Sequence, residues 1–169
     1  MAIEIERKFL VRGDGWRQAK PRYLAQGYLN RDKHRTVRVR VDDDAGFLTV
    51  KGITAGASRR EYEYPIPRDD AKELLALCDG HIIEKFRHVV DVEGSRWEVD
   101  EFLGDNNGLV LAEIELASED QQFSRPAWLG PEVTEDPRYF NSNLAESPWC
   151  KWVSAPSDFG VQPAPSSGL

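Results

Sequence analysis

The stretch Arg35-Thr36-Val37-Arg38-Val39-Arg40-Val41-Asp42 alternates strictly, with valine at 37, 39 and 41 and arginine at 38 and 40. Period two is the pattern of a β-strand, whose successive side chains point to opposite faces. In most antiparallel sheets the polar face is mixed and looks onto water. Here it carries like charges two residues apart, and the same habit spreads along the chain in both directions. Toward the C-terminus, Thr49 and Lys51 share a face within Phe47–Lys51, and Glu61 and Glu63 oppose Tyr62, Tyr64 and Ile66 within Arg59–Pro67. Lys85 and Arg87 share a face opposite Phe86 within His81–Asp91. Glu98 and Asp100 oppose Trp97 and Val99 within Arg96–Phe102, and Glu113 and Glu115 oppose Ile114 and Leu116 within Leu109–Leu116. Toward the N-terminus, Glu4, Glu6 and Lys8 face away from Ile3, Ile5 and Phe9 within Ala2–Val11. Tyr23–Leu29 is a weaker eighth strand.

One strand of this kind reads as a solvated face, since like charges at i and i+2 cost little in water. Seven strands with the same habit read differently. If the charged faces all point one way and the sheet closes, the product is a barrel whose lumen is lined by carboxylates and cations. The alternation therefore points to an α+β chain, an antiparallel sheet with a few helices. Its charged face becomes a lumen if the sheet closes, and its apolar face is then covered by helices and connecting segments. Turn residues at Asp43–Gly46, Gly52–Gly56, Glu93–Ser95 and Gly104–Gly108 join the strands as short hairpins. A helix is expected over Asp69–Cys78, and a second from Asp136 as N-cap, with Pro137 at its first position, through Ala145. Ser118–Phe123 is expected as a short helical turn. Residues 1–153 read as a single domain, and the Pro/Ser/Gly-rich tail 154–169 as disordered.

A lumen of this kind is not a dry core, because unpaired buried charges are too costly. It is wet, internally paired or filled by a charged ligand. Lys8, Arg38, Arg40, Lys51, Lys85 and Arg87 are donors suited to several phosphate groups. Glu4, Glu6, Glu61, Glu63, Asp100, Glu113 and Glu115 are hard oxygen ligands suited to Mg²⁺ or Mn²⁺. Carboxylates repel phosphate unless a divalent cation lies between them, so both sets on one surface point to a metal-bound polyphosphate.

The chain has 169 residues, 22 Lys+Arg against 29 Asp+Glu, and a net charge of −7. That acidity excludes a general nucleic-acid or membrane-surface binder. No run approaches the ~20 apolar residues of a spanning helix, and two glutamates interrupt the N-terminal stretch where a secretory signal is apolar. Cys78 and Cys150 form no CxxC arrangement. A cytoplasmic protein is expected. His34, His81 and His88 show no metal spacing and are left out of the site. Arg59 shares the parity of Glu61 and Glu63, and a rim ion pair and a substrate contact are equally open for it. Arg7 and Arg60 fall on the outward parity as surface residues. Tyr62, Tyr64, Phe86 and Trp97 also fall outward, where they are expected to pack beneath helices.

The run Glu4-Ile5-Glu6-Arg7-Lys8 resembles the ExExK signature of the CYTH family, also called triphosphate tunnel metalloenzymes. VRVR, TVKG, REYEYPI, EKFRHVV, WEVDEF and LAEIEL follow in the family's order, and GPEVTEDPRYFNSNLA resembles its C-terminal stretch. The likeness covers roughly Met1 to Ala145. It implies an eight-stranded antiparallel β-barrel forming a tunnel, and a resemblance to short bacterial inorganic triphosphatases that need Mg²⁺ or Mn²⁺. By that resemblance Glu4, Glu6, Glu113 and Glu115 are metal ligands, and Lys8, Arg38, Arg40, Lys51, Lys85 and Arg87 hold the triphosphate. Glu4, Glu6, Lys8, Arg40 and Lys85 form the catalytic core. Glu61, Glu63 and Asp100 line the tunnel, near the metals or pairing with cations, and Asp136–Ala145 packs beside or across one mouth.

The implied reaction is hydrolysis of tripolyphosphate to pyrophosphate and phosphate. Alternatives sharing the tunnel are a CYTH-type adenylate cyclase and a thiamine or nucleoside triphosphatase; an alternative of another class is a polyphosphate-binding module without turnover. No aromatic cluster on the inward parity offers an adenine pocket, which favours the inorganic substrate. The sequence leaves a homodimer through the outer face of the barrel open.

Overall fold

The computed structural model describes residues 3–152, so the tail expected at 154–169 lies outside the described residues. The described residues form nine strands: β1 Ile3–Val11, β2 Arg22–Asn30, β3 Arg35–Val41, β4 Gly46–Gly52, β5 Ser58–Ile66, β6 Asp79–Val92, β7 Ser95–Phe102, β8 Val110–Glu115 and β9 Leu129–Glu132. The first eight close into an antiparallel barrel in the order β5-β4-β3-β2-β6-β7-β8-β1, with β1 returning to β5. This is the expected eight-stranded barrel. β2 is a full nine-residue strand paired on both sides, stronger than its sequence pattern.

β1 divides its free edge between two partners. Ile3–Ile5 pair with Arg60–Ser58 of β5, whereas Phe9 and Val11 pair with β9. β9 was not anticipated, because four residues containing Pro131 carry little strand signal. Its continuation also holds β1: Val133 N donates to Lys8 O at 2.8 Å, and Lys8 N donates to Thr134 Oγ1 at 3.0 Å.

The barrel is largely inside out, with most of its apolar packing on the outer face. Helix α1, Arg68–Leu75, follows Pro67 and carries Asp69 and Asp70 in its first turn, where acidic side chains suit the helix N-terminus. Its Ala71, Leu74 and Leu75 pack with Val39, Val41 and Leu48 on the outside of β3 and β4. Gly46 permits this approach, since a Cβ there would stand 2.6 Å from Ala71 Cβ. A second outer cluster gathers Phe9, Trp16, Trp97, Val99, Ile114 and Trp128. Trp97 is buried there edge-on to Phe9, Phe123 and Trp128. The cover is connecting segment rather than the expected helix, and Tyr62 and Tyr64 stand exposed, because α1 spans only the β2–β4 wall. Phe86 meets Tyr23 edge-on on the same outer face.

At one end the inward side turns apolar. Leu10, Tyr28, Ile83, Phe102 and Leu111 meet Tyr139, Leu144, Ala145 and Trp149 from the C-terminal segment. That segment is not the single helix expected over Asp136–Ala145. Asp136 does cap, accepting from Arg138 N at 3.1 Å, but a 3₁₀ turn at Pro137–Tyr139 ends at the extended Phe140. Helix α2, Asn141–Leu144, then begins. Gly80, with φ +76°, lets the chain pass so closely that a Cβ would lie 2.6 Å from Ala145 O, and His81 N donates to that oxygen at 2.7 Å. The helical turn expected at Ser118–Phe123 is a single tight turn. Gln121 N bonds Ser118 O at 3.2 Å, and the Gln121 side chain accepts from Ala117 N.

Candidate active site

Strand register carries the charged parity into one cavity. Lys8 lies opposite Glu113 and Glu6 opposite Glu115 across β1 and β8; Glu113 in turn faces Glu98 on β7. Lys51 faces Glu61, and Thr49 faces both Arg38 and Glu63. The enclosed space is about 230 Å³ and is lined by Glu4, Glu6, Lys8, Arg38, Arg40, Lys51, Glu61, Glu63, Lys85, Arg87, Glu113 and Glu115. Twelve of the thirteen residues singled out from the sequence therefore share one chamber. Asp100 has the right parity but lies behind Lys85 and Arg87, fully buried.

The cations are held by specific carboxylates. Asp100 Oδ2 is 2.8 Å from Lys85 Nζ, and the same carboxylate takes the Arg87 guanidinium in a two-point grip at 2.8 and 2.9 Å. Lys51 Nζ bonds both oxygens of Glu4, at 3.0 and 3.1 Å, and reaches Glu61 at 3.1 Å. Glu63 draws Arg38 and Arg40, at 3.4 and 3.6 Å. Lys8 lies 3.8 Å from Glu113 and donates to Tyr139 O at 3.2 Å.

These contacts set the protonation states. Burial disfavours the Asp100 carboxylate, but Arg87 and Lys85 outweigh it and hold the carboxyl well below its usual range. Burial likewise opposes ionisation of Glu4, and Lys51, with help from Glu61 and Arg59, brings it down to about 2. Glu61 is pushed up to about 7 by burial and by its hydrogen bond with Glu4. Burial lowers Lys85 to about 8 although Asp100 favours its charge. Burial and the nearby cations Arg38 and Arg87 lower Arg40 to about 10.

The acidic side of the chamber suits a divalent cation. Glu6 is pushed well above the normal carboxylate range by burial and by Glu113 and Glu4 around it. Glu115 is raised by burial, Glu4 and Glu98. Crowded carboxylates of this kind ionise together only when a cation joins them. Among the described residues no three acidic, imidazole or thiol groups form a ready-made metal cage. Mg²⁺-type ions need none, because they bind through one or two carboxylates and keep water and phosphate oxygens as their other ligands. The donor set fits.

Sequence reasoning left several lining residues unassigned. Arg59 pairs with Glu4 at 3.6 Å and lines the chamber as well, so the ion pair and the lining position coincide. Thr36, Thr134, Phe140, Asn141 and Ser142 also line it. Thr134 and Phe140–Ser142 lie where no strand period marks an inward face. Gln26 is fully buried on the inward side of β2, a strand with no charged alternation to reveal it. The three histidines stay outside the lining; His88 is buried on the outer face, accepting from Gln18 N at 2.9 Å.

A sequence profile described as the CYTH domain matches residues 2–145. The chain belongs to the CYTH family. Among CYTH relatives, an inorganic triphosphatase of Acetivibrio thermocellus is 54% identical over 151 residues, covering 88% of this chain and 97% of that protein. An inorganic triphosphatase of Nitrosomonas europaea is 41% identical over 150 residues, covering 85% and 97%. A crystal structure of an inorganic triphosphatase superposes with a TM-score of 0.62 at 37% identity, covering 86% of this chain and 95% of the other. A protein of Pyrococcus horikoshii shares the fold at 17% identity and a TM-score of 0.54, covering 69% and 81%. No helix among the described residues is long and apolar enough to cross a membrane.

Proposed function

We propose that this CYTH protein is a divalent-metal-dependent inorganic triphosphatase, cleaving tripolyphosphate to pyrophosphate and phosphate within the barrel. The observation that carries the reading is the convergence of six cations and a group of carboxylates on one chamber of about 230 Å³. The names of the relatives from Acetivibrio thermocellus and Nitrosomonas europaea support the same substrate. Residues 1–153 act as one catalytic domain, working in the cytoplasm, where the free thiols of Cys78 and Cys150 stay reduced.

Phosphoryl transfer asks a protein for positioning and charge neutralisation rather than covalent chemistry. Lys8, Arg38, Arg40, Lys51, Lys85 and Arg87 neutralise the three phosphates and the charge that develops on the leaving pyrophosphate. Glu4, Glu6, Glu113 and Glu115 would hold Mg²⁺ or Mn²⁺. The bound ion supplies neutralisation of phosphate oxygens and a more acidic water. The proton of the attacking water passes to a carboxylate of this acidic group. Asp100 keeps Lys85 and Arg87 aimed inward, and Glu63 does the same for Arg38 and Arg40.

The lining supports an inorganic substrate over a nucleotide. Its aromatic members among the described residues are Tyr28 and Phe140, and Tyr28 belongs to the apolar cluster that closes one end. Phosphate release from tripolyphosphate, ATP, thiamine triphosphate and pyrophosphate, with Mg²⁺ or Mn²⁺ and with cyclic AMP followed in parallel, tests the reading. Tripolyphosphate is expected to be the preferred substrate; a faster rate with ATP, or cyclic AMP as product, would overturn it.

A further inference from the structure

We propose that Asn141 is a substrate-binding residue, its side-chain amide donating to the phosphate at the closed end of the chamber. The inference rests on the triphosphatase reading above.

Lys85 Nζ lies 3.3 Å from Asn141 Oδ1, and Gln26 Nε2 lies 3.2 Å from the same atom. An ammonium group only donates, so the amide atom that meets Lys85 is the oxygen. Two donors use both of its lone pairs and fix the orientation of the amide. The NH₂ group is thereby committed to the other side. Among the described residues none accepts from it, and it is not one of the sealed, unpartnered polar atoms. The space that Asn141 lines, beside Phe140 and Ser142, is the chamber.

The chemistry of that end calls for such a donor. Leu10, Phe102, Leu111, Tyr139 and Leu144 seal the barrel behind it, so a linear polyphosphate stops there on a terminal phosphate. A terminal phosphate offers three peripheral oxygens. The two lysines nearby each spend part of their donor capacity on the protein, Lys8 on Tyr139 O and Glu113 and Lys85 on Asp100, so they do not by themselves fill all three oxygens. Asn141 supplies a further donor without adding charge to a place already holding two cations.

Asn141→Asp keeps the shape and the acceptor for Lys85 and Gln26 but replaces the NH₂ group with an anionic oxygen that also repels phosphate. It is therefore read together with Asn141→Ala, which removes the donor without adding charge. In Asn141→Asp the expected result is a KM for tripolyphosphate raised by about 10–100-fold, the range of one hydrogen bond to a charged group, with kcat changed far less. Asn141→Ala should fall between wild type and Asn141→Asp. The rise in melting temperature that tripolyphosphate confers should shrink in the same order. A wild-type KM and a wild-type thermal shift in either variant would overturn the proposal. If Asn141→Ala does not fold, the isosteric Asn141→Asp still carries that test. Wild-type protein that binds tripolyphosphate without cleaving it would sink the triphosphatase reading, while the thermal shifts would still decide the role of Asn141.

Discussion

Lys85 Nζ lies 2.8 Å from Asp100 Oδ2, with both side chains deeply buried and the Arg87 guanidinium gripping both oxygens of the same carboxylate. Charges this deep are stable only as a group, since each loses its hydration and regains it through its partners. Asp100→Asn should therefore cost about 3–5 kcal/mol of stability, the usual price of leaving buried charge uncompensated. Urea unfolding measures it. A loss below about 1 kcal/mol would show that Lys85 and Arg87 find water or other partners.

The same lysine predicts a pH dependence. Burial lowers its pKa to about 8 from an ordinary 10.5. Above pH 8 the folded protein loses a proton that the unfolded chain still holds, so this group's contribution to stability rises from pH 8 to about 10.5. Substrate binding moves the other way, because neutral lysine no longer pairs with phosphate. KM for tripolyphosphate should climb by up to about tenfold per pH unit above 8. It should stay flatter in Lys85→Arg, whose cation persists. Parallel curves for the two proteins would remove Lys85 from the binding step.

Arg40 and Glu115 stand on opposite sides of the division of labour. Arg40→Ala should raise KM for tripolyphosphate about 10–100-fold, the loss of hydrogen bonds to a charged group, at every metal concentration. Glu115→Gln should instead raise the Mg²⁺ or Mn²⁺ needed for half-maximal rate by about tenfold, equivalent to about 1.4 kcal/mol, and excess metal should restore activity. A defect in Glu115→Gln that added metal never alters would remove Glu115 from the metal ligands.

The outer face should carry stability without touching chemistry. Trp97 is fully buried between Phe9, Phe123 and Trp128. Trp97→Ala should cost about 3–5 kcal/mol while the KM of the folded fraction stays unchanged. A large KM change with little loss of stability would contradict the separation of outer core from inner chamber.

Much of this was legible in the sequence because charge and strand parity coincide. On β1, β3 and β5 through β8 the inward side chains announce themselves as like-charged pairs, on β4 as Thr49 and Lys51, and the register then gathers them. Parity reports the face of a strand but not the depth along it. Glu98 and Asp100 share a face, yet Glu98 lines the chamber and Asp100 is sealed behind two cations. β2 reads weakly because its inward residues, Leu24, Gln26 and Tyr28, are uncharged. The family resemblance places Asp136–Ala145 at one mouth, but no pattern in the segment marks Thr134, Phe140, Asn141 and Ser142 as lining. The segment has no regular period, and its place depends on β9, the extended Phe140 and close passage at Gly80. The expected single helix over Asp136–Ala145 is broken at Phe140, and the turn at Ser118–Phe123 goes no further than one bond. The reason is related: capping and polar residues mark where a turn starts, while tertiary packing decides how far it continues.

The central claim is that this chamber cleaves one phosphoanhydride bond of a bare triphosphate. ³¹P NMR of tripolyphosphate incubated with the protein and Mg²⁺ or Mn²⁺ tests it most directly. The account predicts that the tripolyphosphate signals give way to pyrophosphate and orthophosphate in equal amounts, with the pyrophosphate persisting. Tripolyphosphate signals that remain unchanged with either metal would contradict it.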